Sequence, residues 1–147
     1  MVPRPCGEQN VIVEERALIE DFLSGEVYVV AGASTDRSKY GNKVLRCYQQ
    51  AGRRVIPLNP RASEVEGLPC IAELSELEIE VHGLSIITPP GVTEGVIEAA
   101  ARQGIERVWV QPGAEYQGME ERCAELGLSC ISGGACLLVV LGFSEKL

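Results

Sequence analysis

Five short segments of this 147-residue chain place glycine, proline or small polar residues directly after an apolar run: Gly32-Ala33-Ser34-Thr35, Asn59-Pro60-Arg61, Thr88-Pro89-Pro90, Gln111-Pro112-Gly113 and Ser132-Gly133-Gly134-Ala135-Cys136. The chemistry such segments offer is binding rather than bond-breaking. A glycine turn feeding a helix exposes unpaired backbone N–H groups and the positive end of the helix dipole to an anion, so the Gly32 loop is the phosphate candidate. It runs on through Thr35, Asp36, Arg37, Ser38, Lys39, Tyr40 and Gly41. A Gly-x-Gly-x-x-Gly fingerprint would need glycine where Ser34 and Arg37 stand, so the dinucleotide pattern is not met. The plainer reading is a connecting loop in which Ser34 caps the turn.

Asn59-Pro60-Arg61 discriminates better. A domain that holds NAD places an acidic residue at this strand end for the ribose hydroxyls. A basic group there favours a ribose carrying its own phosphate, as in NADP or coenzyme A. Arg61, with Arg37 or Lys39, supplies the local positive charge. A solvated surface arginine is the alternative for Arg61. Thr88-Pro89-Pro90 ends a strand that cannot extend, and a helix starts at Gly91 or Val92. This stiff, partly apolar rim, with Val92 beside it, suits the body of an adenine or a pantetheine; a rigid turn is the structural alternative. Gln111, at the end of the fourth apolar run, completes the candidate binding set, and no residue is a metal candidate.

The residues offer little for catalysis. His82 is the sole histidine, stands just before the third strand, and therefore falls on the edge of the sheet opposite the strand-end loops. Gly-x-Ser-x-Gly does not occur, and His82 is poorly placed to serve a serine or cysteine nucleophile. The cysteines, Cys6, Cys47, Cys70, Cys123, Cys130 and Cys136, form no Cys-x-x-Cys pair, so they read as mostly reduced core residues rather than a zinc site or a disulfide scaffold. Glu14-Glu15 and Glu120-Glu121 are sequence neighbours that do not face each other on a helix, and read as solvated surface.

The elements that must position these loops follow from hydrophobic spacing. Val11, Ile12, Leu18, Ile19, Phe22 and Leu23 recur on one helical face after a candidate cap at Asn10. Val27–Ala31 is a β-branched run followed by a helix carrying Val44, Leu45, Tyr48 and Ala51, which stops at Gly52. The unit repeats: a strand over 54–60, a short helix over 71–77, a strand over 84–88, a helix with Val92, Val96, Ile97 and Ala100, a strand over 107–111, a helix over 115–126, and a strand over 128–131. Continuous apolar strands alternating with helices predict a Rossmann-like, doubly wound α/β domain of five parallel strands in the order 3-2-1-4-5. In that order the site lies at the carboxyl ends of strands one and four. The expected organisation is one domain over 1–147: an N-terminal helix over 10–24, a core over 25–136 and an apolar segment over 137–147. Leu137–Leu141 is expected to pack on the sheet or add a strand, with a subunit or partner contact as the alternative.

Composition sets the outer limits. Apolar residues make up 46% and charged residues 23%, ordinary values for a chain that buries a core. Thirteen Lys and Arg against 21 Asp and Glu give a formal charge of -8, which argues against a general affinity for nucleic acid or anionic membrane. No run approaches the ~18 apolar residues of a membrane span, and Met1–Cys6 lacks the apolar centre of a secretory signal, so a soluble, cytoplasmic protein is expected.

Taken in order, Val29-Val30-Ala31-Gly32-Ala33-Ser34, Gly52 to Pro60, Ile87-Thr88-Pro89-Pro90 and Val108 to Gly113 resemble the small stand-alone CoA-binding proteins, whose fold is similar to the N-terminal CoA-binding domain of the succinyl-CoA synthetase alpha subunit. The resemblance spans roughly residues 17 to 136. It implies that CoA or an acyl-CoA lies across the carboxyl edge of the sheet, with Gly32, Ala33, Ser34 and Thr35 at the phosphates. Asn59, Pro60 and Arg61 would meet the adenosine end, and Thr88, Pro89, Pro90 and Val92 the adenine or pantetheine. Cys136 resembles a cysteine these proteins often carry after the last strand, where a mixed disulfide with CoA is chemically open to it. A ligase of the synthetase type needs a further domain with a phosphorylated histidine and a nucleotide-binding partner, for which this chain is too short. The expectation is therefore non-catalytic CoA binding. A small NADP-dependent oxidoreductase, or an interaction subunit with a vestigial pocket, is the alternative.

Overall fold

The computed structural model describes residues 6–134 and 136–145. The chain opens with α1 (Cys6–Leu23), followed by β1 (Val27–Ala31), α2 (Tyr40–Gln50) and β2 (Arg54–Leu58). A two-stranded hairpin, β3 (Glu64–Val65) and β4 (Leu68–Pro69), leads through a 3-10 turn at Leu74–Glu76 to β5 (Gly83–Ile86). Then come α3 (Pro90–Arg102), β6 (Arg107–Val110), α4 (Met119–Glu125), β7 (Ser129–Ile131) and α5 (Leu137–Leu141). Asn10 thus lies inside α1 and does not cap it; the side chains of Val11 and Ile12 lie outside the described residues.

The five main strands are parallel, as their pattern predicts, and the fold is Rossmann-like α/β. Their order is β2-β1-β5-β6-β7, or 2-1-3-4-5 counting the parallel strands alone. The expected 3-2-1-4-5 is thereby corrected: the third parallel strand inserts beside the first. Pro57 supplies the physical reason. A proline has no N–H for the ladder and is confined to edge strands, and here it sits in β2 opposite Val30 with β2 at the edge. β5, by contrast, is buried along its whole length, which suits the middle of a sheet. Since open α/β sheets take ligands where the strand order reverses, the candidate crevice moves to the carboxyl ends of β1 and β5, away from the first and fourth strands.

Alternation along each strand divides the core into two layers. Val29, Ala31, Leu84, Ile86, Val108 and Val110 face α3 and α4 and pack with Ile97, Ala100 and Met119. Tyr28, Val30, Trp109 and Ile131 face α1, α2 and α5. Four of the scarce aromatic residues gather in that second layer. Phe22 meets Trp109 edge-on at 5.3 Å and Tyr28 stacks on Tyr48 at 4.8 Å. The Tyr48 hydroxyl, fully buried, is satisfied by Ser85 Oγ at 2.6 Å, so the layer contains no stranded polar group at that point.

Two more expectations change. The segment 71–77 forms only a 3-10 turn, because Ile71 is drawn into a bridge with Leu58 beyond the edge of the sheet. The helix expected from Glu115 begins at Met119, after Gly118 in the left-handed conformation. Leu137–Leu141 is a helix rather than a sixth strand. Leu137 is fully buried against the second layer, whereas Val139 is 79% exposed.

Candidate functional site at the carboxyl edge

Two glycines allow the first loop to form. Gly32 has φ +94, a region open to residues without a Cβ, and a Cβ there would stand 2.7 Å from the carbonyl carbon of Ile87. Gly41, in the first turn of α2, faces the Gly32 carbonyl so closely that its own Cβ would lie 2.9 Å from that carbon. The start of α2 is thus pressed onto the end of β1, and the loop 33–39 is thrown outward across the sheet edge. Within the loop the Asp36 N–H donates to Ser34 Oγ at 3.0 Å, the turn cap that the sequence offered. The Ser38 hydroxyl and N–H donate to Asp36 and hold its carboxyl below the usual carboxylate range.

The strand-end residues come together because β2, β1 and β5 are neighbours. Asn59 Nδ2 donates to the Ala33 carbonyl at 2.8 Å, and Asn59 Oδ1 accepts the Arg61 N–H at 2.7 Å, so one side chain ties the second loop to the first and shapes the turn that presents Arg61. Ile87 N donates to the Ala31 carbonyl, which seats Thr88 beside the Gly32 turn. Thr88 Oγ1 meets the buried Thr93 Oγ1 at 2.7 Å and anchors the Pro89-Pro90 corner at the start of α3. That helix begins at Pro90, one residue before the expected Gly91, since a proline at the first helical position loses no bond. Val92 is 52% exposed and borders a cavity of about 480 Å³ between α3 and the 3-10 turn, lined also by Leu58, Leu74, Val96 and Ala99. Pro60, Arg61, Thr35, Arg37 and Lys39 are exposed around this edge.

Sequence reasoning missed the residues that brace this surface. Arg46 is buried in α2, where its Nε donates to Asn42 Oδ1 at 2.6 Å and its Nη2 to the Arg37 carbonyl at 2.9 Å; Nη1 pairs with Glu145 at 3.2 Å. Asn42, also buried, donates to the Ser34 carbonyl and to Glu66 Oε2. Glu66 occupies the hairpin turn at φ 49, uncommon for a residue with a side chain, and its carboxylate lies 3.5 Å from Arg37. Gly67 was the available signal, since glycine supplies the positive φ that a tight turn needs, here +80.

Gln111 is fully buried at the end of β6 and joins the first loop to the last. Its Oε1 accepts from the Tyr40 hydroxyl at 3.0 Å and from the Leu137 N–H at 3.1 Å. Its Nε2 has no partner among the described residues. The Tyr40 oxygen also lies 2.7 Å from Cys136 Sγ. Burial and then Cys136 raise the Tyr40 phenol above its ordinary range, and burial, with Cys136 adding to it, pushes the Cys47 thiol up to about 11. His82 lies at the other edge, in contact with the Asp21 carbonyl. A cavity of about 610 Å³ there is bordered by Glu78, Glu80, Glu106 and Arg107. Among the described residues no cluster of His, Cys, Asp and Glu could hold a metal ion, and no helix is long and apolar enough to cross a membrane.

Comparison with known proteins bears on the family and the fold. Residues 26–142 match the family model described as a CoA binding domain. The chain is 26% identical over 103 residues to an ADP-forming acetate–CoA ligase I of Archaeoglobus fulgidus, covering 69% of this chain and 15% of that protein. It is 24% identical over 116 residues to the alpha subunit of an ADP-forming acetate–CoA ligase II of Pyrococcus furiosus, covering 74% of this chain and 25% of the subunit. The chain therefore corresponds to a quarter or less of these ligases. A conserved hypothetical protein of Pyrococcus furiosus superposes with a TM-score of 0.75 at 32% identity, over 79% of this chain and 99% of its own. An acetyl-coenzyme A synthetase from Ca. Korarchaeum cryptofilum superposes with a TM-score of 0.69 at 28% identity, over 78% of this chain and 27% of the synthetase.

Proposed function

The chain belongs to the CoA binding domain family, and from that premise we propose that it binds coenzyme A or an acyl-CoA at the carboxyl edge of the sheet without catalysing a reaction of its own. The observation that supports this most is the joining of three loops by Asn59 and by the Gly32–Ile87 contact, which puts an anion-receiving turn, an arginine and a proline rim on one continuous surface. The diphosphate lies along the backbone of Gly32, Ala33, Ser34 and Thr35, with Arg37 and Lys39 nearby. Arg61 meets the ribose phosphate beside Asn59 and Pro60. Adenine rests against Pro89, Pro90 and Val92 near Thr88, and the pantetheine arm runs toward Gln111, whose Nε2, without a partner among the described residues, offers a donor to an amide carbonyl. The whole-chain charge of -8 opposes a polyanionic ligand, so the basic groups must act at short range, and binding weakens as salt rises.

Calorimetric titration of the ligand-stripped protein with CoA, dephospho-CoA, NADP and NAD tests the proposal. CoA should bind best, and dephospho-CoA about tenfold or more weaker, the value of a lost charge-assisted hydrogen bond. A preference for NADP, or no binding of any of the four, overturns it.

A further inference from the structure

The tip of the β3–β4 hairpin breaks a local rule. Val65 pairs with Leu68, which leaves Glu66 and Gly67 as a two-residue loop, and both have positive φ, 49 and 80. The first position of such a turn favours asparagine, aspartate or glycine, since a short polar side chain or none tolerates the left-handed backbone. Glutamate has neither advantage, and a backbone held there persists because its surroundings fix it. What the carboxylate reaches is the first loop. Glu66 Oε2 accepts from Asn42 Nδ2 at 3.0 Å and lies 3.5 Å from Arg37 Nε, while Gln49 Nε2 donates to the Glu66 carbonyl at 3.3 Å and steadies the tip over α2. Asn42 is fully buried and is fixed in turn by the Ser34 carbonyl, to which it donates, and by Arg46 Nε, from which it accepts.

Arg37 is held differently at its two ends. Its backbone carbonyl accepts from Arg46 Nη2 at 2.9 Å, whereas its side chain, 60% exposed, meets the Glu66 carboxylate. The guanidinium can therefore turn to another anion while the loop 33–39 keeps its path, and Glu66 still has the Asn42 donor when it does. The exchange leaves neither the buried amide nor the carboxylate without a partner.

We propose that Glu66 is the internal counter-ion of the first loop, a positioning residue whose carboxylate competes with the diphosphate of the cofactor for Arg37. The inference rests on the CoA reading above. It places a brake on binding in the hairpin: each ligand that carries the diphosphate must take Arg37 from Glu66, whatever it carries at its ribose.

The test titrates the ligand-stripped full chain and its variants with CoA and with dephospho-CoA by calorimetry. Glu66→Gln keeps an acceptor for Asn42 and removes the charge. Glu66→Asn removes the same charge with a residue that the turn prefers, so the two variants reach neutrality by different structural routes. Both should bind CoA and dephospho-CoA about fivefold more tightly at low ionic strength, the upper worth of an exposed ion pair. The gain should shrink below about twofold near 1 M salt, where the Debye length is about 3 Å. Glu66→Gln should bring no gain when Arg37→Ala is already present, because the contested guanidinium is gone. A structural tie alone gives the opposite sign, since loosening the hairpin from the loop would weaken binding. Unchanged or weaker binding in both variants, a gain confined to CoA, or an undiminished gain in the Arg37→Ala background overturns the counter-ion. If parent and variants bind CoA equally, only the counter-ion falls and the CoA reading stands; if none of them binds it, both fall.

Discussion

Replacing Gly41 by alanine should damage stability and ligand binding together, although the same substitution elsewhere in the chain should be beneficial. The added Cβ would lie 2.9 Å from the Gly32 carbonyl carbon and closer still to its oxygen. The oxygen contact governs, and relieving it to van der Waals separation makes α2 retreat from the end of β1 by more than about 1 Å. Overpacking of that order costs about 1–3 kcal/mol. Gly95, in the middle of α3, has nothing within 4 Å of its virtual Cβ, and alanine there should add about 0.5–1 kcal/mol through helix propensity alone. The difference between the two variants isolates the clash from propensity and should reach about 2 kcal/mol or more. Urea unfolding, with midpoints compared at constant slope, measures it. Because the retreating helix carries the N-terminus that borders the loop 33–39, CoA affinity should fall about tenfold in Gly41→Ala and stay unchanged in Gly95→Ala. Equal stability changes in both variants, with unaltered CoA affinity in Gly41→Ala, would refute the close approach as the basis of the site.

Arg61→Ala should weaken CoA by about tenfold or more and dephospho-CoA hardly at all, since only the former carries the ribose phosphate; equal losses in calorimetry would show Arg61 in another role. Tyr48→Phe should cost about 1–3 kcal/mol by stranding Ser85 in the core, and adding Ser85→Ala should recover part of that loss, so a double-mutant cycle in urea should show coupling between the two. Arg122 holds the Glu98 carboxyl below the usual carboxylate range through paired hydrogen bonds at 2.5 and 2.8 Å. A depressed folded-state value contributes stability above the unfolded carboxylate pKa and loses it as pH falls, so the urea midpoint of Glu98→Gln should trail the parent at neutral pH and converge with it below about pH 4. A gap that stayed constant across this range would remove the ion pair from the explanation.

Much of the architecture was legible because it depends on local patterning. Val27–Ala31 was readable as a strand to the residue, since a β-branched run closed by glycine admits few other conformations. The short helix expected over 71–77 failed because an edge strand with a proline leaves a vacant position beyond it, and Ile71 fills that position through a bridge to Leu58. The C-terminal apolar run was ambiguous between strand and helix at its length. Docking of Leu137 against the second core layer, on the side of the sheet that α2 covers, decided for a helix.

The residue types at the strand ends, the failed dinucleotide fingerprint, the arginine after β2 and the succession of apolar strands and helices were all written in the sequence, because each is a property of a few adjacent residues and their dihedral preferences. Pro57 even carried the information that β2 is an edge, though only the assembled sheet made its meaning plain. Tertiary structure alone decided that β5 lies beside β1, and with it that the Gly32 and Thr88 loops touch, that Glu66 reaches Arg37, and that Tyr40 stands between Gln111 and Cys136. Hydrophobic period reports which face of an element is buried, whereas strand order and loop contacts depend on pairings between distant segments, whose energies no local window contains.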